Sequence, residues 1–254
     1  MQNTILYEQP LNERVRTFMR LEQLFSQTHE YINSDTQWHA RMTMTGLSEI
    51  LEILNRSDLK TDVLKVLERN QINLAKLSNT PGVDVQTLNA TLIELDKSYQ
   101  KILRVEGQLG QALREHEILT GLVKRRSLVG GLCSFDLPIL HHWLNCTSTE
   151  RHKNLTELFS SISEIQYAVK LLLNIIREST LIKNQIAENG FYQQNLNSKH
   201  PYQLIRVFIP NDVNYFAEIS AGKHRFSIHF LERTNGRPIQ TKQDINFQLG
   251  CCAV

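Results

Sequence analysis

The fifteen residues from Gly130 to Leu144, GGLCSFDLPILHHWL, hold the side chains best suited to chemistry. A thiol, a hydroxyl, a carboxylate and two imidazoles could supply the nucleophile, general base and orienting group of a hydrolase. These groups must meet in space, however, and no Gly-x-Ser-x-Gly pattern surrounds the serine. We therefore predict no catalytic residue in this stretch. The side chains in question are those of Cys133, Ser134, Asp136, His141 and His142.

The histidines and cysteines also raise the question of a metal site. Adjacent histidines point to different faces of a helix, whereas a dedicated zinc site favours i, i+4 spacing. The cysteines match no zinc spacing, and no glycine-rich loop is present to cradle a phosphate. We predict neither a metal nor another cofactor. The four cysteines are Cys133, Cys146, Cys251 and Cys252.

A structural interpretation accounts for the same stretch. The glycine pair Gly130-Gly131 favours a turn, and Ser134 or Asp136 would cap a short helix that has Pro138 in its first turn. Three leucines at helical spacing would pack inward. These are Leu137, Leu140 and Leu144.

Two sets of basic residues remain as candidates for binding. The triplet from Lys124 to Arg126 ends a predicted helix, where cations favour the helix dipole. Contact with an anion or an acidic peptide explains the triplet equally well, and both interpretations stay open. A second set lies on a predicted strand and comprises His224, Arg225 and His229. Arg20 and Arg114 lie on predicted helices that could contribute to the same groove.

Composition limits the partners. The 254 residues are 41% hydrophobic and 21% charged, which is typical of a globular protein with a substantial core. The formal net charge of +2 is small for a nucleic-acid-binding protein, so that class, using Lys124 to Arg126 and Arg225, is the alternative hypothesis. We expect no nucleic-acid or membrane partner.

The chain shows no sign of export or membrane insertion. The longest aliphatic run lies near Leu171 to Leu173, well short of the roughly 20 residues of a spanning helix. The first residues, MQNTILYEQPLNER, lack the pattern of a signal peptide. The terminal Cys-Cys-Ala-Val fits a prenylation box formally, but it follows a predicted strand without a polybasic run. We expect a cytoplasmic protein with reduced thiols.

Helical periodicity covers most of the chain. Apolar stripes predict helices over Leu11 to Phe25, Leu47 to Leu54, Leu59 to Leu74, Leu88 to Ile102 and about 110 to 126. Ser57 or Asp58 would cap the third of these, and Pro81-Gly82 would interrupt the helices after it. Capping boxes predict two later starts, at Thr147 with Glu150 and at Ser161 with Glu164. The last helix would run to about Asn189 and end at Gly190.

Strand patterns dominate after residue 190. Four segments are rich in β-branched and aromatic residues, and Asn235-Gly236 favours a hairpin. The segments are LIRVFI (204–209), YFAEIS (215–220), HRFSIHFLE (224–232) and INFQL (245–249). A small sheet is marginal alone, so we expect the N-terminal TILYE to join it.

The predicted fold class is therefore α+β. A mostly helical domain would span 10–189, and a smaller antiparallel β-strand domain would contain both chain ends, 1–9 and 190–254. The seven Lys/Arg and four Asp/Glu of 190–254 place the small positive excess on the sheet.

Several of these stretches resemble the ZapD family of bacterial cell-division proteins, in order and over nearly the whole chain. They are ILYEQPLNERVRTFMRLEQL, TPGVD, GGLCSFDLPILHHWL, NGFYQ, KHRFSIHF and the terminal Cys-Cys. The resemblance implies a non-enzymatic homodimer at the mid-cell division ring. It would bind the C-terminal tail of the tubulin-like GTPase FtsZ and cross-link FtsZ protofilaments into bundles.

The resemblance also implies that basic residues bind the tail, a short acidic and apolar peptide. Together with the basic sets above, the candidates are Arg20, Arg56, Arg114, Lys124, Arg125, Arg126, His141, Lys223, Arg225 and His229. The chain departs from the family pattern in three places. Leu132-Cys133 replaces a cysteine pair, Glu117 stands where relatives can carry a basic residue, and His229 stands where an arginine can occur.

Overall fold

The chain folds into two compact units, Thr17–Leu172 (the helical unit) and Met1–Arg16 with Leu173–Val254 (the sheet unit). The structure, a computed structural model, describes residues 4–34, 36–56, 58–130, 132–197, 200–222 and 224–253. The α+β fold class is confirmed, with strands from both chain ends in one sheet. The division at residues 10 and 189 remains a proposal beside these units.

Nine helices are found in the described part of the chain. They are α1 (Glu13–Ile32), α2 (Gln37–Leu54), α3 (Leu59–Ala75), α4 (Val85–Arg104), α5 (Gln111–Glu115), α6 (Glu117–Arg125), α7 (Pro138–Leu144), α8 (Ser148–Ser160) and α9 (Ser163–Glu178). A 3-10 turn, Lys76–Asn79, follows α3. No helix in the residues described is long and apolar enough to cross a membrane.

Side-chain caps start some of these helices as expected. Thr147 accepts a hydrogen bond from the backbone N–H of Glu150 at 3.3 Å, which confirms the predicted start of α8. Asp84, after the predicted breaker, accepts from the N–H of Gln86 at 2.9 Å. Hydrogen bonds from Thr87 and Gln86 lower the pKa of the Asp84 carboxyl, and the bond from the Thr87 hydroxyl contributes most.

Other predicted caps are wrong where the structure describes them. Asp58 precedes α3 without a capping bond, and Ser57 lies outside the described residues. The hydroxyl of Ser161 donates to the carbonyl of Leu158 at 2.6 Å, so this serine ends α8 instead of starting α9. Neither Ser134 nor Asp136 caps α7, although Pro138 does occupy its first turn.

The sheet unit contains eight strands among its described residues. They are β1 (Thr4–Pro10), β2 (Lys183–Ala187), β3 (Phe191–Asn195), β4 (Tyr202–Pro210), β5 (Tyr215–Ala221), β6 (Arg225–Glu232), β7 (Ile239–Gln240) and β8 (Ile245–Ala253). One antiparallel sheet has the order β1-β4-β8-β2, and the other has β3-β6-β5 with β7 also paired to β6. The N-terminal strand joins the C-terminal strands, as predicted.

Inward side chains of the two sheets form one core. Phe226, Ile228 and Phe230 of β6 are buried, which confirms their predicted alternation. The ring of Phe230 lies 5.1 Å from that of Phe247 on the other sheet. Aromatic contact across the core therefore joins the sheets.

The predicted helix to Asn189 is wrong beyond residue 178. Helix α9 ends at Glu178, and β2 then pairs antiparallel with β8. Asn189 and Gly190 both have positive φ, 49° and 70°, and form the tight turn from β2 to β3. Such angles are those of an Asn-Gly hairpin turn. Only Ala187 of β2 is fully buried, so backbone pairing with β8, without an apolar stripe, defines this strand.

A nearly buried carboxylate joins three elements of the sheet unit. Glu8 on β1 accepts two hydrogen bonds from the Arg177 guanidinium of α9, at 3.0 and 2.8 Å. It also accepts one from Arg206 of β4 at 2.9 Å. The Glu8 side chain is 11% exposed. Arg206 additionally donates to the carbonyl of Arg177, near the C-terminal end of α9.

We expect Glu8→Gln to lower the free energy of unfolding by roughly 3 kcal/mol, because it removes the carboxylate charge that two partly buried guanidinium groups share. Urea unfolding measures this change. The matched control is Glu157→Gln, since Glu157 pairs with Lys153 at the surface; we expect a change of about 0.5 kcal/mol or less there. Equal stabilities of the two variants would contradict the role of Glu8.

Candidate functional site

The stretch that resembles an active site is a short helix with one buried face, α7, and the segment before it. Leu137, Leu140 and Leu144 are buried as predicted, and the indole N–H of Trp143 donates to Asn154 at 3.1 Å. His141 and His142 point to solvent. Among the hydrogen bonds of the described residues, none joins these histidines to Cys133 or Ser134. The residues described also contain no group of three potential ligands that could hold a metal.

Three of the predicted basic residues gather at the C-terminal end of α2. Arg56 lies two residues after this end, and its guanidinium donates to the Thr17 hydroxyl of α1 at 3.1 Å. Arg20 lies one turn further along α1 and is exposed. Arg114 of α5 donates to the side chain of Asn55 at 2.8 Å. The helix end supplies negative partial charge, which stabilises cations here before any ligand binds.

Arg114 has a structural role at this end of α2. Its guanidinium donates to the carbonyls of Leu54 and Leu109, at 2.7 and 2.5 Å, in addition to Asn55. Burial lowers the pKa of this guanidinium, although the group remains charged. Because Leu54 ends α2, Arg114 satisfies a carbonyl that has no acceptor role within its own helix.

The basic triplet at the end of α6 is not one uniform patch. Lys124 is exposed, whereas Arg125 donates to the carbonyl of Gly121 at 3.4 Å within its own helix. Arg126 pairs with the carboxylates of Glu49 and Glu52 on α2. These two acids offset the charge of Arg126, so the triplet offers a ligand less than three positive charges.

Arg225 and His229 lie in the sheet unit, on the outward face of β6. Arg225 is exposed at the first position of the strand. The Nδ1 atom of His229 is 3.0 Å from the side-chain oxygen of Gln240, and its ring lies 4.9 Å from that of Phe191. Lys223 lies outside the described residues. The hypothesis that both units contribute to one groove stays a prediction.

Sequence reasoning missed Trp38 and Arg41, which lie three positions apart on α2. Trp38 is 75% exposed, and the Arg41 guanidinium lies 5.8 Å from the centre of its ring. Both residues line a groove of about 560 Å³ together with Arg125 and Arg126. The sequence signal for this site is a tryptophan between Gln37 and His39. Its exposure, which indicates a binding role, is visible only in the structure.

Arg114→Ala should lower the free energy of unfolding by roughly 2 kcal/mol, because two backbone carbonyls lose their donor. The comparison variant is Lys124→Ala, at an exposed position, where we expect a change within about 0.5 kcal/mol. Chemical denaturation of both proteins checks the difference. A stable Arg114→Ala protein would refute the structural role.

The thiols differ strongly in accessibility. Cys133 is exposed, Cys146 and Cys251 are half-buried, and Cys252 is buried. Burial raises the pKa of both Cys251 and Cys252 to about 11. The thiolate is the reactive form, so the terminal cysteines are poor nucleophiles in the folded chain.

We expect Ellman's reagent at pH 8 to modify Cys133 first, and Cys251 and Cys252 only when the protein unfolds. Time courses with and without denaturant measure this order. The Cys133→Ser variant should lose the fast phase and keep the slow one. Rapid modification of the terminal pair in the folded protein would contradict the burial described above.

Comparison with known proteins identifies the family. The family model described as "ZapD: Cell division protein" matches residues 19–229. The cell division protein ZapD of Methylococcus capsulatus is 38% identical over 253 residues, covering 99% of both chains. Its counterpart from Yersinia pseudotuberculosis is 34% identical over 252 residues, covering 98% of both. The chain therefore belongs to the ZapD family of non-enzymatic cell division proteins.

Proposed function

We propose that this chain is a cytoplasmic adaptor of the mid-cell division ring. As a homodimer it binds the C-terminal tail of FtsZ and cross-links FtsZ protofilaments into bundles that stabilise the ring. Membership of the ZapD family, over the full length of the relatives, is the observation that carries this proposal. Tail binding and bundling are what the sequence motifs of the family imply for this chain.

Exposed basic residues in each of the two units support binding of an acidic peptide. Arg20 and Arg56 lie near the end of α2, and Arg225 lies on the outward face of β6. Contacts between exposed charges are weak individually and are screened by salt. A single site of this kind would bind a tail with modest, salt-sensitive affinity.

Dimerisation turns weak sites into a cross-linker. A two-fold dimer presents two equivalent sites, and a filament presents many tails on flexible linkers. Once one tail is bound, the effective concentration of further tails is high, so avidity exceeds the affinity of each site. Bundling then requires no catalysis and no cofactor.

Sedimentation of FtsZ filaments tests the proposal. We expect the wild-type protein to increase the pelleted FtsZ at low salt and to do so less at high salt. Arg20→Glu and Arg225→Glu should each weaken binding of a tail peptide about tenfold, equivalent to ~1.4 kcal/mol, while the dimer stays intact. Arg237→Glu is the control, because Arg237 is exposed and outside the candidate set.

Two outcomes would count against different parts of the proposal. Failure of the wild type to bind the tail or bundle filaments at either salt concentration overturns the adaptor function. Wild-type affinity in both Arg20→Glu and Arg225→Glu overturns this assignment of the site alone. The nucleic-acid alternative predicts retention of the protein on DNA or RNA with a steep salt dependence.

A further inference from the structure

The groove beside Trp38 lies entirely within the helical unit. Its walls come from α2, from α6 and from the segment that follows α6, and its volume is about 560 Å³. The groove follows α2 for about three helical turns, because its lining residues on this helix extend from Trp38 to Glu49. Its lining includes Trp38, Arg41, Glu49, Arg125 and Leu128.

Large apolar side chains are exposed in and beside this groove. Trp38 is 75% exposed and Leu128 is 57% exposed. In the same segment after α6, Val129 is fully exposed and Phe135 is 80% exposed. Exposed large apolar side chains that line a groove favour an interaction site, and tryptophan is among the residues that most often dominate binding energy.

Positive charge borders the apolar surface. Three arginines and one glutamate line the groove, so its rim attracts acidic groups even though Arg126 is paired. Arg41 also donates to the carbonyl of Leu132 at 2.7 Å, which holds the segment after α6 against α2. The same guanidinium lies near the Trp38 ring, so the aromatic side chain and the rim are oriented together before a ligand arrives.

We infer that this groove binds an extended peptide that carries both acidic and large apolar side chains. An apolar side chain packs on Trp38 and Leu128, while carboxylates contact Arg41 and Arg125. The inference rests on the proposed function, since the FtsZ tail has this mixed chemistry. It assigns the apolar part of tail recognition to residues outside the basic candidate set.

The fluorescence of Trp38 reports occupancy of the groove directly. The chain has two tryptophans, and the other, Trp143, is only 8% exposed. In a Trp143→Phe variant, checked for native circular dichroism, all indole emission comes from Trp38. Adding a synthetic peptide of the FtsZ C-terminal tail should shift this emission to the blue, because the peptide removes water from the ring.

Peptide variants separate the two kinds of contact. A peptide with its apolar residues changed to serine should give no blue shift, and one with its acids changed to amides should bind more weakly and with less salt dependence. A shift that depends on protein concentration without any peptide would instead mean that a second copy of the chain fills the groove. That result would overturn the inference.

Protein variants complete the test by anisotropy with a labelled peptide. Trp38→Ser and Arg125→Gln in the otherwise wild-type chain should each bind the tail about tenfold more weakly. The matched controls are Leu181→Ser, at an 83% exposed leucine of the sheet unit, and Arg237→Gln; both should bind as the wild type does. Wild-type affinity in Trp38→Ser, together with no emission shift on adding peptide to the Trp143→Phe variant, refutes this groove while leaving tail binding intact. Absence of any binding by the wild type refutes the proposed function itself.

Discussion

The buried ion pairs of Glu8 constrain how the sheet unit closes. The carboxylate lies between the guanidinium groups of Arg177 and Arg206, so a residue from the first strand holds together a helix end and a strand far along the chain. Burying this carboxylate costs free energy unless both guanidinium groups are present. The arrangement therefore favours closure of the sheet by both chain ends and disfavours partial versions of it.

The helical unit uses a comparable device at the end of α2. Arg114 donates to the carbonyl of Leu54, which α2 leaves without a donor, and Arg56 bonds to α1 beside it. Basic residues that look like a binding patch in the sequence thus divide into those that stabilise the fold and those that face solvent. This division matters for function, because replacing Arg114 alters the framework that presents Arg20 and Arg56.

Part of the fold could be predicted because buried apolar residues recur along the sequence with the period of a helix or a strand. The strands β4, β5, β6 and β8 alternate or are rich in β-branched residues, and their core positions, such as Phe226 and Phe230, are buried as expected. The strand β2 could not be found this way, since Ile186 is exposed and only Ala187 is buried. Its identity comes from backbone pairing with β8, which leaves no apolar pattern. The Asn189-Gly190 turn carried a usable signal, but a helix end and a hairpin turn both favour positive φ there.

By itself, the sequence determined the α+β class, most helix positions, the return of the N-terminal strand to the sheet and, through its motifs, the ZapD family. The reason is that apolar periodicity and turn residues are local properties, which can be recognised in the sequence alone. Only the tertiary structure decided which charges are neutralised, as Arg126 is by Glu49 and Glu52, and which aromatic side chain stays outside the core. Trp38 and the buried Trp143 are the same residue type on helices, and only packing by distant segments distinguishes an exposed ring from a core residue.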